Sequence, residues 1–270
     1  MNRPGLASLE RLMDGFASIS LSEMDGIRLM NRIDTKYLTS FSRLAALLSE
    51  ALDCGYMVFE EGGKRIQDYD SVYFDTPALT TYTEHRRGKL VRQKIRTRRY
   101  STSGMCFLEI KNKNNHSRTK KKRVELALGV YPYYAQDAGA AGWLGQRCMY
   151  GADSLGASLG TAFKRITLVN RERTERLTID MDVRFRNFRT GVEAGMGSAV
   201  IIELKQDGRA SSLMGGILLR HRILPCRISK YCVGITATTP GIRAGRFKEK
   251  VRLIDKINNA ESSAIHACLD

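Results

Sequence analysis

Residues 89–100 read KLVRQKIRTRRY, and four cations stand in this stretch at every second position: Arg92, Lys94, Arg96 and Arg98. Side chains of an extended strand alternate between faces, so these four point the same way and form a ladder of positive charge. A packed core cannot hold such a ladder. Like charges in a row repel unless an anion or facing carboxylates sit among them, so the segment asks for one or the other.

Working outward, the same alternation recurs. Arg32, Asp34 and Lys36 share one face, as do Tyr73 with Asp75, Glu109 with Lys111 and Lys113, and Lys121 with Arg123 and Glu125. Arg165 and Arg171 have equal parity, Arg176 goes with Asp180 and Asp182, and Glu203 with Lys205 lies opposite Val200, Ile202 and Leu204. A solvated sheet face is the plain reading of any one such strand, but solvated faces mix in Thr, Ser, Gln and Asn. These faces concentrate Lys and Arg with a minority of acids. If the strands close into a barrel with the charged parity inside, the interior is a wet tunnel of cations suited to a chain of phosphates and a divalent metal.

The strand signals fall near 30–38, 65–75, 89–100, 105–113, 120–128, 163–172, 175–186 and 198–206, with a short one at 227–236. Helical patches lie between them at FSRLAALLSEAL, at PALTTYTEHRRG opened by its proline, within 132–160, and at SSLMGGILLRHR. The expected fold is α+β, mainly β: a closed antiparallel barrel of about eight strands with helices in the connections. Its expected organisation is a helical extension over 1–27, the barrel domain over 28–240, and a basic helix or tail over 241–270.

The chain has 270 residues, 43% hydrophobic and 27% charged, which is ample for a core. Its 44 Lys+Arg against 28 Asp+Glu give a net charge of +16, a statement about anionic partners and not about fold. Nucleic acid, an anionic membrane and small polyphosphates are the candidates. Six cysteines form no C-x-x-C pair and no zinc spacing, which points to a reducing, cytoplasmic setting. No apolar run reaches the roughly 18 residues of a spanning helix, and no signal peptide is expected. Glycine-loop nucleotide motifs are missing, so phosphates must be held by side chains. His85, His116, His221 and His266 lie off the alternating faces and are expected in surface or turn positions.

The ordered set DTKY, SVYFDT, GKLVRQKIRTRRY, FLEIK, K-x-R at 121–123, RLTID, IIELK and SKY resembles the VTC (vacuolar transporter chaperone) domain, over roughly residues 28–236. That is the polyphosphate polymerase branch of the triphosphate tunnel metalloenzymes. The resemblance implies a closed β-barrel tunnel and an ATP-dependent extension of inorganic polyphosphate with Mn2+ or Mg2+. It implies that Lys36, Arg96, Arg98, Lys111, Lys121, Arg123, Arg171, Arg176 and Lys230 are phosphate ligands and that Glu203 holds the metal. Of these, Lys36, Arg96, Arg98, Lys111, Arg171 and Lys230 are expected at the reacting phosphates. Arg92, Lys94, Lys121, Arg123, Arg176 and Lys205 are expected along the bound chain, with Glu109 and Asp180 as further metal carboxylates.

Hydrolytic relatives in that superfamily carry Glu-x-Glu-x-Lys on the first strand, where this chain has Arg32, Asp34 and Lys36. Fewer acids and more cations suit a longer phosphate chain. Neither an SPX domain nor membrane helices are visible, so any coupling to a membrane would need a partner protein. A phosphate nucleophile is already ionised at neutral pH and needs no strong base, in keeping with so few histidines. The alternatives are a tripolyphosphatase or nucleoside triphosphatase, and a non-catalytic binder of polyphosphate or nucleic acid; nucleic acid is not the expected partner.

Overall fold

The computed structural model describes residues 3–25, 32–116, 119–208 and 211–267. Residues 28–31 of the expected barrel domain, including the start of the expected 30–38 strand, lie outside the described residues. The strands are β1 (Ala17–Ile19), β2 (Arg32–Ser40), β3 (Met57–Phe59), β4 (Gln67–Asp75), β5 (Arg92–Tyr100), β6 (Cys106–Lys113), β7 (Thr119–Leu126), β8 (Gly156–Val169), β9 (Glu175–Asn187), β10 (Glu193–Gly195) and β11 (Ala199–Asp207). The helices are α1 (Arg3–Asp14), α2 (Leu21–Asp25), α3 (Phe41–Asp53), α4 (Thr80–Arg87), α5 (Ala138–Gly145), α6 (Leu213–Arg220), α7 (Lys230–Thr238) and α8 (Phe247–Ala267).

One sheet runs in the order β2-β11-β9-β8-β4-β5-β6-β7, every neighbour antiparallel. It curls into a half-barrel, and no pairing joins β7 to β2 among the described residues, so the expected closed barrel is corrected to an open trough. Two physical reasons keep it open. The far edge of β2 is taken by the segment before α7, where Cys226 N–H donates to the Lys36 carbonyl and Tyr37 bridges Pro225. The free edge, β7, carries Lys120, Lys121, Lys122 and Arg123 in a row, and zipping it onto a strand bearing Arg32 and Lys36 would set like charges face to face.

Apolar residues of the outward parity make the convex core. Val200, Ile202, Leu204, Leu177, Ile179, Ile166 and Leu168 pack under α1, α3 and α6. Helix α3 shows why: Ser40 Oγ caps it by accepting from Arg43 N–H, and Leu44, Leu47, Leu48 and Ala51 repeat at helical spacing on its buried side. On the other half, Val72, Ile95, Leu108 and Ile110 pack against α5 and its neighbours. A third cluster fills one end of the concave side, where α7 and α8 lie on Leu38, Ile201, Val183 and Phe185.

Two elements differ from the sequence reading. Residues 227–236, expected as a strand, contain the start of α7, because Ser229 Oγ caps the helix and Tyr231, Cys232 and Ile235 bury one helical face. A Cβ on Gly234 of this helix would meet Leu159 Cδ2 at 2.5 Å and Phe185 Cδ1 at 2.7 Å, so only glycine lets α7 seat this closely on the sheet. Helix α4 starts at Thr80 and not at Pro77; the buried Asp75 carboxylate caps it by accepting from the Thr81 and Tyr82 N–H groups. No helix among the described residues is long and apolar enough to cross a membrane.

Candidate functional site

Strand register assembles the concave face. Across β4, β5, β6 and β7 the direct partners are Tyr73, Arg96, Glu109 and Arg123, and one step away Lys94, Lys111 and Lys121. On the other half Glu203 pairs with Lys36 and Thr178, Lys205 with Asp34 and Arg176, and Asp180 with Arg165.

Arg96 lies at the centre, with Nε 2.7 Å and Nη2 2.6 Å from Glu109 Oε2 and Nη1 donating to the Tyr73 hydroxyl at 3.2 Å. The other Glu109 oxygen accepts from Lys121 at 3.1 Å. Arg98, 6% exposed, donates to Ser71 Oγ at 3.0 Å and stacks over Tyr69 and Phe163; among the described residues it forms no ion pair, and Glu109 acts on it only at longer range. Arg165 binds Asp180 through two bonds of 2.5 and 2.8 Å. Lys230, delivered by the first turn of α7, reaches the same Asp180 and sits 4.2 Å from the Phe163 ring centre. Lys94 donates to Ser229 Oγ at 2.9 Å, so that hydroxyl caps α7 and orients a trough cation at once. Lys36 and Lys111 form no ion pair among the described residues.

The charge states follow from this crowding. Burial alone would raise Glu109, but Arg96, Arg98 and Lys121 outweigh it and hold the carboxyl far below its usual range. The same contest, burial against Arg165 and Lys230, leaves Asp180 ionised, and against Lys36, Lys205 and Lys111 it leaves Glu203 ionised. Arg96 first and then burial push Lys111 well below the ordinary lysine range, although it stays open to water in the trough. Burial draws Lys230 down to about 8 with help from Arg165, against Asp180. At Arg165 burial is outweighed by the attraction of Asp180, which raises the guanidinium, whereas at Lys230 burial outweighs the same carboxylate. Burial opposes ionisation of Tyr73, yet Arg96, Arg98, Lys230 and Lys94 bring its phenol down to about 8.

The structure gathers most of the expected residues: Lys36, Lys94, Arg96, Arg98, Lys111, Arg176, Glu203, Lys205 and Lys230 line the trough, with Lys121 and Arg123 on its exposed edge strand. Arg92 stands at the end of the row. Arg171 does not join them. Strand β8 ends at Val169, so Arg171 lies exposed in the following turn with its guanidinium against Gly55, and Arg165 is the member of that pair in the trough. Tyr73 and Ser229 are further site groups; parity marks the first, but only the helix that replaces the expected strand exposes the role of the second. His85, expected in a surface position, is instead packed against Phe247 with Nδ1 3.0 Å from Cys232 Sγ, and burial followed by Lys94 and Arg92 keeps it uncharged.

Among the described residues no three His, Cys, Asp or Glu side chains come together as a metal cage. Glu109 and Asp180, expected as metal ligands, have both oxygens engaged by cations and act as counter-charges. Glu203, opposite Lys36 in the ladder, has among the described residues a single ion pair, the 3.7 Å contact with Lys205. That donor set fits a hard divalent ion held by one carboxylate with phosphate oxygens and water completing its shell.

The family model for the VTC domain matches residues 31–239. Among solved structures, a candidate adenylyl cyclase from Hippeastrum reported to have a dominant triphosphatase activity is similar at a TM-score of 0.51 and 17% identity, covering 78% of this chain and 99% of that one. A candidate adenylate cyclase from Bacillus halodurans is similar at 0.49 and 14%, covering 74% of this chain and 96% of that one. At these identities the likeness is one of fold. No curated protein matches the chain.

Proposed function

The chain belongs to the VTC domain family, and from that premise we propose that it is a divalent-metal-dependent phosphotransferase that moves the terminal phosphate of ATP onto inorganic polyphosphate. The observation that carries the reading is Arg98: a buried guanidinium that, like Lys36 and Lys111 in the same trough, forms no ion pair among the described residues. A buried charge left unpaired is costly, and a polyanion in the trough removes that cost. Arg96, Arg98, Arg165 and Lys230 would grip the transferring phosphate and stabilise its equatorial oxygens. Glu203 would hold Mn2+ or Mg2+, which supplies further charge neutralisation when bound. Glu109 and Asp180 orient the arginines, and Tyr73 limits how far Arg96 can swing.

Hydrolysis is the second reading, favoured by the activity of the Hippeastrum protein. Water attack calls for a base, and Glu109 and Asp180 are each tied to cations, whereas a phosphate acceptor arrives ionised. Incubation with ATP and Mn2+ should yield an acid-labile polymer. Glu203→Gln should lose turnover by about a hundredfold or more while tripolyphosphate still binds. Orthophosphate as the sole product would sink the polymerase reading and leave the triphosphatase; tight duplex DNA binding with a steep salt slope and no preference for tripolyphosphate would sink both.

A further inference from the structure

The sheet has two edges, and only one of them is covered. Beyond β2, Cys226 N–H donates to the Lys36 carbonyl and Pro225 bridges Tyr37, so that edge has a neighbour. Beyond β7 no strand pairs among the described residues. Alternate N–H and C=O groups along β7 therefore point away from β6, toward a position that no strand fills. The cluster under α5 takes in Val124 and Leu126 of this strand, whereas Thr119, Lys120, Lys121, Lys122 and Arg123 are all exposed.

Register divides the four cations between the faces. Lys121 and Arg123 lie on the concave side, where Lys121 meets Glu109 at 3.1 Å and Arg123 stands 4.3 Å from the Phe107 ring centre. Lys120 and Lys122 lie on the convex side, opposite Asn112 and Ile110, and form no ion pair among the described residues. Lysine on an edge strand guards against pairing with a neutral or basic strand, and here it works against self-association, since a second copy's β7 would set one row of cations against another. An acidic strand meets the opposite situation. Laid beside β7, it would bring carboxylates within about 5 Å of cations on both faces while its backbone satisfied the open edge.

We propose that residues 119–123 of β7 dock an acidic, extended segment of a partner protein, which joins the sheet as a further strand along the gap between β7 and β2. In strand addition the main-chain hydrogen bonds supply affinity and alternate side chains supply selectivity. Acids of one parity would meet Lys121 and Arg123 on the concave side; those of the other would meet Lys120 and Lys122 on the convex side. The excess of 44 Lys+Arg over 28 Asp+Glu makes another copy of this chain a poor source of such a segment and an acidic partner a good one. This docking is independent of phosphate binding, because Lys120 and Lys122 lie outside the trough.

The test uses the full chain and a fluorescent peptide with a run of glutamates between valine and threonine flanks, read by anisotropy. A second peptide carries the same charges with its central amides N-methylated, and a third has lysines in place of the glutamates. The parent peptide should bind, and the N-methylated one should bind about tenfold or more weakly for want of its main-chain donors. Lys120→Glu/Lys122→Glu should weaken the parent peptide by about tenfold, gain affinity for the lysine peptide, and hold tripolyphosphate within about twofold of wild type. Equal affinity for the parent and N-methylated peptides would overturn the proposal, because charge alone would then hold them. So would a parent peptide that does not bind, or one that tripolyphosphate displaces and the double variant binds as well as wild type does, which would put its acids in the trough. Peptide binding as expected with no binding of tripolyphosphate would sink the phosphate reading and leave the docking edge standing.

Discussion

Ile95, Leu108 and Ile110 lie on the convex side of β5 and β6; Lys94, Arg96, Glu109 and Lys111 lie one residue away on the concave side. The convex residues are fully buried among apolar neighbours, and their contribution is the ordinary one of area removed from water. The concave residues repel one another, lose hydration and are only partly compensated by Glu109. One face of the sheet thus supplies stability and the other consumes part of it, as expected where binding requires charges to be held without their partners. A substitution should therefore be read first by its parity and only then by its chemistry.

Glu109 is the sharpest way to break that division, because it is a concave residue on which the fold depends. Glu109→Ala leaves Arg96 and Lys121 without a counter-charge and should destabilise by about 3–5 kcal/mol in urea unfolding. An unchanged midpoint would mean that water already compensates Arg96. Leu108→Ala on the convex side should cost about 2–5 kcal/mol and leave tripolyphosphate affinity as it was. A comparable loss of affinity would show that the faces are not independent. Gly234→Ala overpacks the contact of α7 with the sheet by about 1–3 kcal/mol and, by shifting Lys230, should weaken anion binding more than its stability cost implies.

Smaller effects sharpen the same contrast. Lys230 is protonated below about 8 and loses its charge above it, so its attraction for phosphate is present at neutral pH and fades as pH rises through about 8. Tripolyphosphate affinity should fall several-fold between pH 7 and 9.5, and Lys230→Gln should flatten that part of the profile. For stability the sign is reversed: above about 8 the unfolded chain holds more protons at this lysine than the native one, so this group's penalty shrinks as pH rises toward the ordinary lysine range. Least in size, Lys111→Met removes a like-charge partner from Lys94 and should raise the free energy of unfolding by up to about 1 kcal/mol while weakening phosphate binding.

The sheet was legible because period-2 alternation survives in most strands of the trough, and Lys36, Arg96, Arg98, Lys111 and Glu203 could be placed on one face by parity; β9 is the exception, where Asp182, in the left-handed region, turns Val183 and Phe185 to the concave side and takes itself off the face of Arg176 and Asp180. Parity could not say where a strand stops. Arg171 keeps the right count on paper, but the chain has already left β8 at Val169. Lys230 was found by motif and mistaken in its element, since tyrosine, cysteine, valine and isoleucine after Ser229 suit a strand as well as a helix. Which carboxylate serves a metal and which an arginine depends on register between strands distant in sequence, as with Arg165 opposite Asp180. Closure likewise depends on what the two edge strands bring to each other, and His85 is buried by Phe247, a residue far along the chain.

The gap between β7 and β2 has a kinetic meaning. A closed pipe admits a linear molecule only by one of its termini, so the rate of engagement falls as chains lengthen and ends become scarce. A trough open along one side, where α7 and α8 leave it uncovered, would accept the middle of a linear anion from that side, and the same gap would let it detach without being drawn out through either mouth.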